Sequence, residues 1–315
     1  MQTILGAGGA IGTELAKALT AYTTDIRLVS RRPRHINPTD TLHPADLTDP
    51  EQIDRAIAGS SVCYLTIGFE YRIPIWQAQW MPLIRAVVAS CMRHSCKLVF
   101  FDNVYAIGGD HVRHITEASP LQPSSIKGRI RAEVDRYILE HIERGELNAI
   151  IARAPDFFGP IKEKSLTMNL IYDNLVKGKT AQWFCRADMP HSTGFTPDLA
   201  QGTAMLGNAD HAYNRIWNLP VDSHAPTARE WVHMFAMALG KPEKAHTLQV
   251  LPSWAVRGLG LFIPVMKEFH EMLYQYDRPY VVDSSKFNQA FNFKPTSNQE
   301  AVQTVVNTLT VNNLR

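Results

Sequence analysis

Cysteine is scarce in this chain of 315 residues: Cys63, Cys91, Cys96 and Cys185 are the only four, and no two stand in Cys-x-x-Cys spacing. A disulfide scaffold is excluded at this size and no zinc motif is offered, so the thiols read as reduced and mostly buried. Long apolar runs are missing too. The longest beyond the amino terminus, Trp254 to Met266, is about half of what a membrane span needs and contains Arg257 and Pro264. The amino-terminal MQTILGAGGAIGTELAKAL is apolar but has no basic leading region, so it does not read as a signal peptide. A cytoplasmic location and no membrane span are the resulting expectations. Nor does charge of one sign accumulate: 32 Lys and Arg against 30 Asp and Glu leave +2. Without a broad basic field, nucleic acid is not expected as a partner. The remainder, 45% apolar and 20% charged, is that of a globular protein long enough for one large domain and a smaller lobe.

Residues 1 to 152 alternate short apolar runs with longer amphipathic stretches, the pattern of repeated βαβ units around a buried parallel sheet. Six strands are predicted: Gln2 to Leu5, Asp25 to Ser30, a weak one at Thr41 to Pro44, Val62 to Thr66, Lys97 to Phe101 and Ala149 to Arg153. Apolar residues at three- and four-residue spacing predict helices over Ile11 to Leu19, Pro50 to Ile57, Pro74 to Arg93 and Ser125 to Ile142. After Pro155 the alternation breaks down into short strands, loops and helices, among them Ser165 to Val176, Thr196 to Leu206, Thr227 to Leu239 and Asn298 to Leu309. The domains expected are 1–155, binding a dinucleotide, and 156–315, a substrate lobe with segments returning to the first.

Gly6-Ala7-Gly8-Gly9-Ala10-Ile11-Gly12 follows the first predicted strand and opens the first predicted helix. At such a junction Gly6 permits the tight turn, Gly9 lets the backbone approach a pyrophosphate, Gly12 allows close helix packing, and the helix amides attract the anion. The spacing is Gly-x-x-Gly-x-x-Gly, with Gly8, Ala10 and Ile11 inside the same turn. The fold class this implies is α/β, a Rossmann-type doubly wound parallel sheet with a smaller mixed α/β carboxy-terminal lobe. Strand two ends in Ser30-Arg31-Arg32, where an NAD site would place an acid on the ribose 2′-hydroxyl. The guanidinium of Arg31, assisted by Arg32 or Ser30, suits a 2′-phosphate instead and favours NADP(H) over NAD(H); the alternative is a solvated turn. Asp46 and Leu47 are placed to cap the adenine, unless Asp46 serves only the turn or a helix cap. Thr66, closing strand four, and Pro155, Phe157 and Phe158, following strand six along the nicotinamide, complete the expected cofactor set.

The glycine spacing, the Asp46-Leu47 pair and the Phe158-Gly159-Pro160 turn together resemble the extended short-chain dehydrogenase/reductases, the NAD-dependent epimerase/dehydratase group, over most of the chain and most strongly in residues 1 to 160. The Pro190-His191-Ser192 and Phe195-Thr196-Pro197-Asp198 segments look like a diverged form of that family's substrate domain. The resemblance implies a Ser or Thr after the fifth strand and a Tyr and Lys four residues apart on the next helix, the Tyr exchanging a proton with the substrate and the Lys lowering its pKa and holding the nicotinamide ribose. This chain departs at each position. Asn103 stands where the Ser or Thr would, Lys127 where the Tyr would, and Arg131 where the Lys would.

Arg131 retains a charge suited to the ribose and would lower the proton affinity of Lys127 by like-charge repulsion, which makes Lys127 a candidate acid with Asn103 as hydrogen-bond donor. The competing reading keeps both cations for the cofactor in a protein without redox chemistry, a sensor or regulator. Tyr105 is a second candidate acid, or a packing residue. Asp102 either orients Lys127 or a substrate hydroxyl, or caps a loop. His191 is the histidine expected to face substrate, unless it lies on the surface. Tyr276, in the run Tyr274 to Tyr280, either walls a substrate pocket or packs in the core. The second half has no Arg and Lys cluster to clamp a diphosphate, so a less charged carbonyl or hydroxyl compound is the expected small-molecule substrate. The apolar helix expected around Trp254 to Ile263 either lines that site or is core. A homodimer is expected through the helices Pro74 to Arg93 and Ser125 to Ile142, by which related proteins pair.

Overall fold

The computed structural model describes residues 1–161 and 165–313. In chain order the strands and helices of the first half are β1 (Gln2–Leu5), α1 (Ala10–Leu19), β2 (Ile26–Ser30), β3 (Thr41–Pro44), α2 (Pro50–Ile57), β4 (Val62–Leu65), α3 (Ile73–Arg93), β5 (Lys97–Asn103), α4 (Ile126–Glu143) and β6 (Ala149–Ala154). Then come β7 (Asp156–Phe158), α5 (Asp173–Val176), β8 (Ala181–Phe184), β9 (Thr193–Phe195), α6 (Thr196–Gly207), β10 (Arg215–Asn218) and α7 (Ala228–Ala238). The chain ends with β11 (Leu248–Leu251), α8 (Ser253–Leu259), α9 (Pro264–Phe269), α10 (Ser285–Ala290) and α11 (Asn298–Asn313).

One compact unit is formed by residues 1–106, 126–154 and 199–219. Its seven-stranded sheet runs β10-β6-β5-β4-β1-β2-β3, with every pairing parallel. β1, β4 and β6 are buried at every position, as strands covered on both faces are. The order reverses between β1 and β4, the switch point at whose carboxyl edge doubly wound sheets bind ligands. Six of the strands stand where hydrophobic periodicity put them, and the seventh, β10, was not predicted. It is a four-residue edge strand hidden in Arg215-Ile216-Trp217-Asn218, too short for a period-2 signal. Local chemistry fixes the start of α2: the Asp49 carboxylate accepts from the Glu51 and Gln52 amides, and Pro50 occupies the first turn.

The second unit comprises residues 107–125, 155–198 and 220–315 and holds the short sheets β7·β9 and β8·β11, both parallel. Its aromatic core is built on Phe158, which packs edge-on against Trp231 at 4.8 Å and near Phe235 and Phe195. A capping box starts α7, Thr227 and Glu230 bonding each other's backbone. The helix expected over Ser165 to Val176 runs over 166–176, with a π-helical turn at Met168–Tyr172 that leads into α5. The apolar stretch near Trp254 is not core: Trp254, Leu261 and Phe262 are 75%, 81% and 85% exposed. Gly258, Gly260 and Pro264 divide it into two short helices, so it has no continuous face to bury.

Candidate functional site

In the first unit the turn after β1 has the geometry its glycines require. Gly6 has φ of +101°, and a Cβ there would stand 2.8 Å from the Ile67 amide nitrogen. A Cβ on Gly12 would lie 2.7 Å from the Gly6 carbonyl oxygen, so the helix sits against the loop with no room for a side chain. Gly9 differs. It is the N-cap of α1 and makes no side-chain cap, and a Cβ there would meet only the Gly6 oxygen at 3.7 Å. Exposed Gly8 would likewise have nothing within 4 Å. The start of α1 therefore presents an open backbone surface and the positive end of a helix dipole, the arrangement that holds phosphates. Buried Ala10 and Ile11 form its first turn, and the Thr66 hydroxyl bonds the Leu5 carbonyl at 3.2 Å beside Gly12.

At the end of β2, Ser30 is half-buried and Arg31 and Arg32 are exposed, with no ion pair to either arginine among the described residues. The loop that follows is pinned by buried Asp40, whose carboxylate accepts from the Ile36 and Asn37 amides while Asn37 reaches back to the Ala16 carbonyl. Asp46 is exposed and makes a turn with Thr48, whose amide and hydroxyl hold its pKa below the ordinary value with help from the charge of Arg31. Its carboxylate is thus engaged in the turn. Leu47 is a core residue.

The three positions that replace the catalytic set lie on β5 and α4. Asn103 ends β5, its side-chain oxygen accepting from the Tyr105 amide at 2.9 Å. Tyr105 is half-buried and stacks on Trp76 with 6.2 Å between ring centres. Lys127 is fully buried, its Nζ 4.4 Å from the centre of the Tyr71 ring. One turn on, Arg131 is ion-paired with Asp102 of β5, the two being only 2% and 1% exposed. Its guanidinium is sandwiched over Trp80 at 4.0 Å and Phe100 at 4.7 Å. Burial pulls the Arg131 pKa down to about 9, Asp135 opposing, which leaves it cationic at neutral pH. A further turn on, buried Asp135 pairs with Arg153 of β6 at 2.9 Å, and Arg153 is the register partner of Asp102 across the sheet. Lys127, Arg131 and Asp135 thus form one polar stripe on the buried side of α4. Asp102 serves as the counter-ion of Arg131, since a buried carboxylate without one costs several kcal/mol.

The second unit gathers a group that only part of the sequence signal indicated. His191, expected at a substrate site or on the surface, is buried between the rings of Tyr276 and Tyr280, 4.7 and 4.5 Å away, with Trp183 edge-on at 5.4 Å. Its Nε2 lies 3.0 Å from Asp156 Oδ2, and the Tyr276 hydroxyl donates to the same oxygen at 2.6 Å. Asp156 Oδ1 has no hydrogen-bond partner among the described residues, and the side chain keeps 17% of its surface exposed. Asp156 follows Pro155, two residues beyond the carboxyl end of β6; Phe157 and Phe158 continue β7 beside β9. In the sequence Asp156 stands in a segment expected to offer the nicotinamide its backbone, and only the fold shows that His191 and Tyr276, 85 residues apart, converge on its carboxylate. Gly159 seats this region tightly: a Cβ there would collide with the Thr196 hydroxyl at 1.8 Å.

No cluster of His, Cys, Asp or Glu able to hold a metal occurs among the described residues, and none of their helices is long and apolar enough to cross a membrane. No curated protein sequence matches the chain. Solved structures do, over nearly its full length. The Thermus thermophilus UDP-glucose 4-epimerase complexed with NAD superposes with a TM-score of 0.75 at 16% identity, covering 98% of this chain and 99% of that one. The Bacillus anthracis dTDP-glucose 4,6-dehydratase in complex with NAD gives 0.79 at 17%, covering 99% and 97%. The Bacillus cereus UDP-N-acetylglucosamine 4-epimerase gives 0.77 at 13%, covering 98% and 96%. At these identities the likeness establishes the fold. The sequence model of the NAD dependent epimerase/dehydratase family matches residues 3–218, more than half of the chain, which therefore belongs to that family.

Proposed function

We propose that the chain binds a nicotinamide dinucleotide in its first unit, NADP(H) in preference to NAD(H), and works as an oxidoreductase or epimerase-like enzyme on a carbonyl or hydroxyl of a small molecule in the cytoplasm. The observation that carries this reading is the uncapped start of α1 behind the Gly6–Gly12 turn, in a chain whose β2 ends in two exposed arginines and no acid. The dinucleotide, when bound, supplies or takes a hydride. Lys127 is the proton donor to the substrate oxygen and the Asn103 amide its orienter. Arg131 acts at one remove: tied to Asp102, it locks α4 to β5 and fixes where Lys127 and Asn103 stand. Tyr105 supports the same strand end by packing on Trp76.

Within the second unit, Asp156, His191 and Tyr276 form a group suited to binding a hydroxyl compound. Two donors anchor one carboxylate oxygen and the other is left to accept a substrate hydroxyl. A carboxylate in that role disfavours phosphorylated compounds, which fits the lack of an Arg and Lys clamp, so the nucleotide sugars of the similar structures are not the substrates assigned. The chain pairs as a homodimer through α3 and α4, as the family resemblance implies.

A second reading, a non-catalytic NADP(H) sensor, is favoured by one observation: at the position of the family's tyrosine stands Lys127, fully buried over Tyr71. Calorimetry with NADPH, NADP⁺ and NADH tests the main proposal. Replacing Arg31 and Arg32 together by Glu is expected to weaken NADPH about tenfold or more, roughly 1.4 kcal/mol, and to leave NADH unchanged. Failure of the native chain to take up any of the three removes the proposal. Uptake with no hydride transfer to a broad panel of aldehydes, ketones and alcohols leaves the sensor.

A further inference from the structure

The three most exposed large apolar side chains described in this protein, Trp254, Leu261 and Phe262, belong to one hairpin of the second unit. Trp254 lies on α8, and Leu261 and Phe262, followed by the less exposed Ile263, fill the turn into α9. The hairpin is anchored from below. Val256 is buried, and Phe269 packs on Phe184 at 4.7 Å and on Tyr276 at 5.3 Å, so the exposed residues stand on a fixed base. Exposure above four-fifths at adjacent Leu261 and Phe262 belongs to a convex tip, because neighbours on a flat face shade one another. A tip of this shape fits a phase that yields around it better than a flat contact with a second copy.

The two ionisable side chains inside the hairpin, up to Lys267, are both basic. Between Leu248 and Lys267 the only ionisable side chains are Arg257 and Lys267, both exposed, and the next acid is Glu268. Arg257 Nε donates to His270 Nε2 at 2.7 Å, which fixes the guanidinium at the foot of the hairpin. Aromatic and aliphatic side chains at a tip, with cations behind them, are the complement of an anionic lipid surface. We propose that the α8–α9 hairpin docks the protein on anionic membranes, with Trp254, Leu261, Phe262 and Ile263 entering the interfacial layer and Arg257 and Lys267 meeting lipid phosphates. This is attachment to a surface, since helices of seven and six residues reach nowhere near across a bilayer.

Co-sedimentation of the whole protein with phosphatidylcholine vesicles, and with vesicles of phosphatidylcholine and phosphatidylglycerol, tests this independently of any nucleotide. Binding to the anionic vesicles is expected to be about tenfold or more tighter than to the neutral ones and to weaken in high salt. The double variant Leu261→Asp, Phe262→Asp should lose it with an unchanged melting temperature, both residues being exposed. The double variant Arg257→Gln, Lys267→Gln should lose the anionic preference. Absence of binding to both vesicle types, or full binding by the aspartate variant, overturns the proposal. So does conversion of an oligomer to a monomer by the aspartate variant without lipid, which would assign the tip to a second copy of the chain.

Discussion

Breaking the Asp102–Arg131 pair separates two roles for Arg131, holding a ribose and holding the fold. In Arg131→Met the apolar side chain fits between Trp80 and Phe100, but the Asp102 carboxylate stays buried with no counter-ion. Uncompensated charges of this kind cost about 3–5 kcal/mol. At roughly 2–4 °C per kcal/mol, the melting temperature should fall by about 6–20 °C. The second buried pair, Asp135–Arg153, is one helical turn away and offers no relief, because Arg153 already answers Asp135. The double variant Asp102→Leu, Arg131→Met removes both charges and should recover most of the loss, since a buried pair replaced by well-packed apolar residues is often neutral or stabilising. Calorimetric scans of native, single and double variants measure the coupling, and NADPH titration of each reports the cofactor. A melting temperature of Arg131→Met within about 2 °C of native, together with a tenfold loss of NADPH affinity, refutes the reasoning and returns Arg131 to the ribose.

The glycine turn predicts a contrast: Gly12→Ala should cost about 1–3 kcal/mol in stability by overpacking against the Gly6 carbonyl, whereas Gly9→Ala should melt near native yet bind nucleotide more weakly, as scanning calorimetry and titration would report. Tyr276→Phe removes one of the two donors to Asp156 and should cost about 1.5–3 kcal/mol, with turnover of any substrate found falling as well; chemical denaturation and steady-state assays check both. Burial raises the pKa of Asp198 above its ordinary 3.8, although the Thr296 amide and hydroxyl oppose the shift. The native state then binds more protons than the unfolded chain between the two values, so this group favours folding in acid and the contribution is lost as pH rises through the folded value. Relative to Asp198→Asn, the native chain should lose stability on going from acid to neutral pH, and parallel melting curves that keep a constant offset would contradict the assignment.

Most of the first unit was legible because a parallel sheet covered on both faces writes itself as uninterrupted apolar runs, and helices between them as three- and four-residue spacing. Gly6 and Gly12 were readable because their neighbours leave no space for a Cβ, a constraint that survives in the sequence as glycine and nothing else. The partner of Arg131 was not readable. Asp102 stood out beside Asn103 on β5, but as a partner for Lys127 or a substrate hydroxyl, and nothing in a linear pattern says that it turns inward to Arg131. The same holds for Asp156, whose meaning arises only when β7 and the Tyr274–Tyr280 run are brought together. The short β10, without a period, escaped altogether, and the Trp254 to Ile263 segment was legible as apolar but not as the exposed α8–α9 hairpin.

The seventh strand has a practical consequence for anyone cutting this chain. β10 comes from residues 215–218 yet zips onto β6, pairing Arg215 with Ile150 through Asn218 with Arg153. A recombinant piece ending at residue 155 would keep every glycine of the nucleotide turn and still bare the whole flank of Ala149–Ala154, an apolar ribbon with unpaired amides. Such a ribbon recruits copies of itself. The trimmed product is expected in inclusion bodies, and soluble truncations must carry the chain through Leu219.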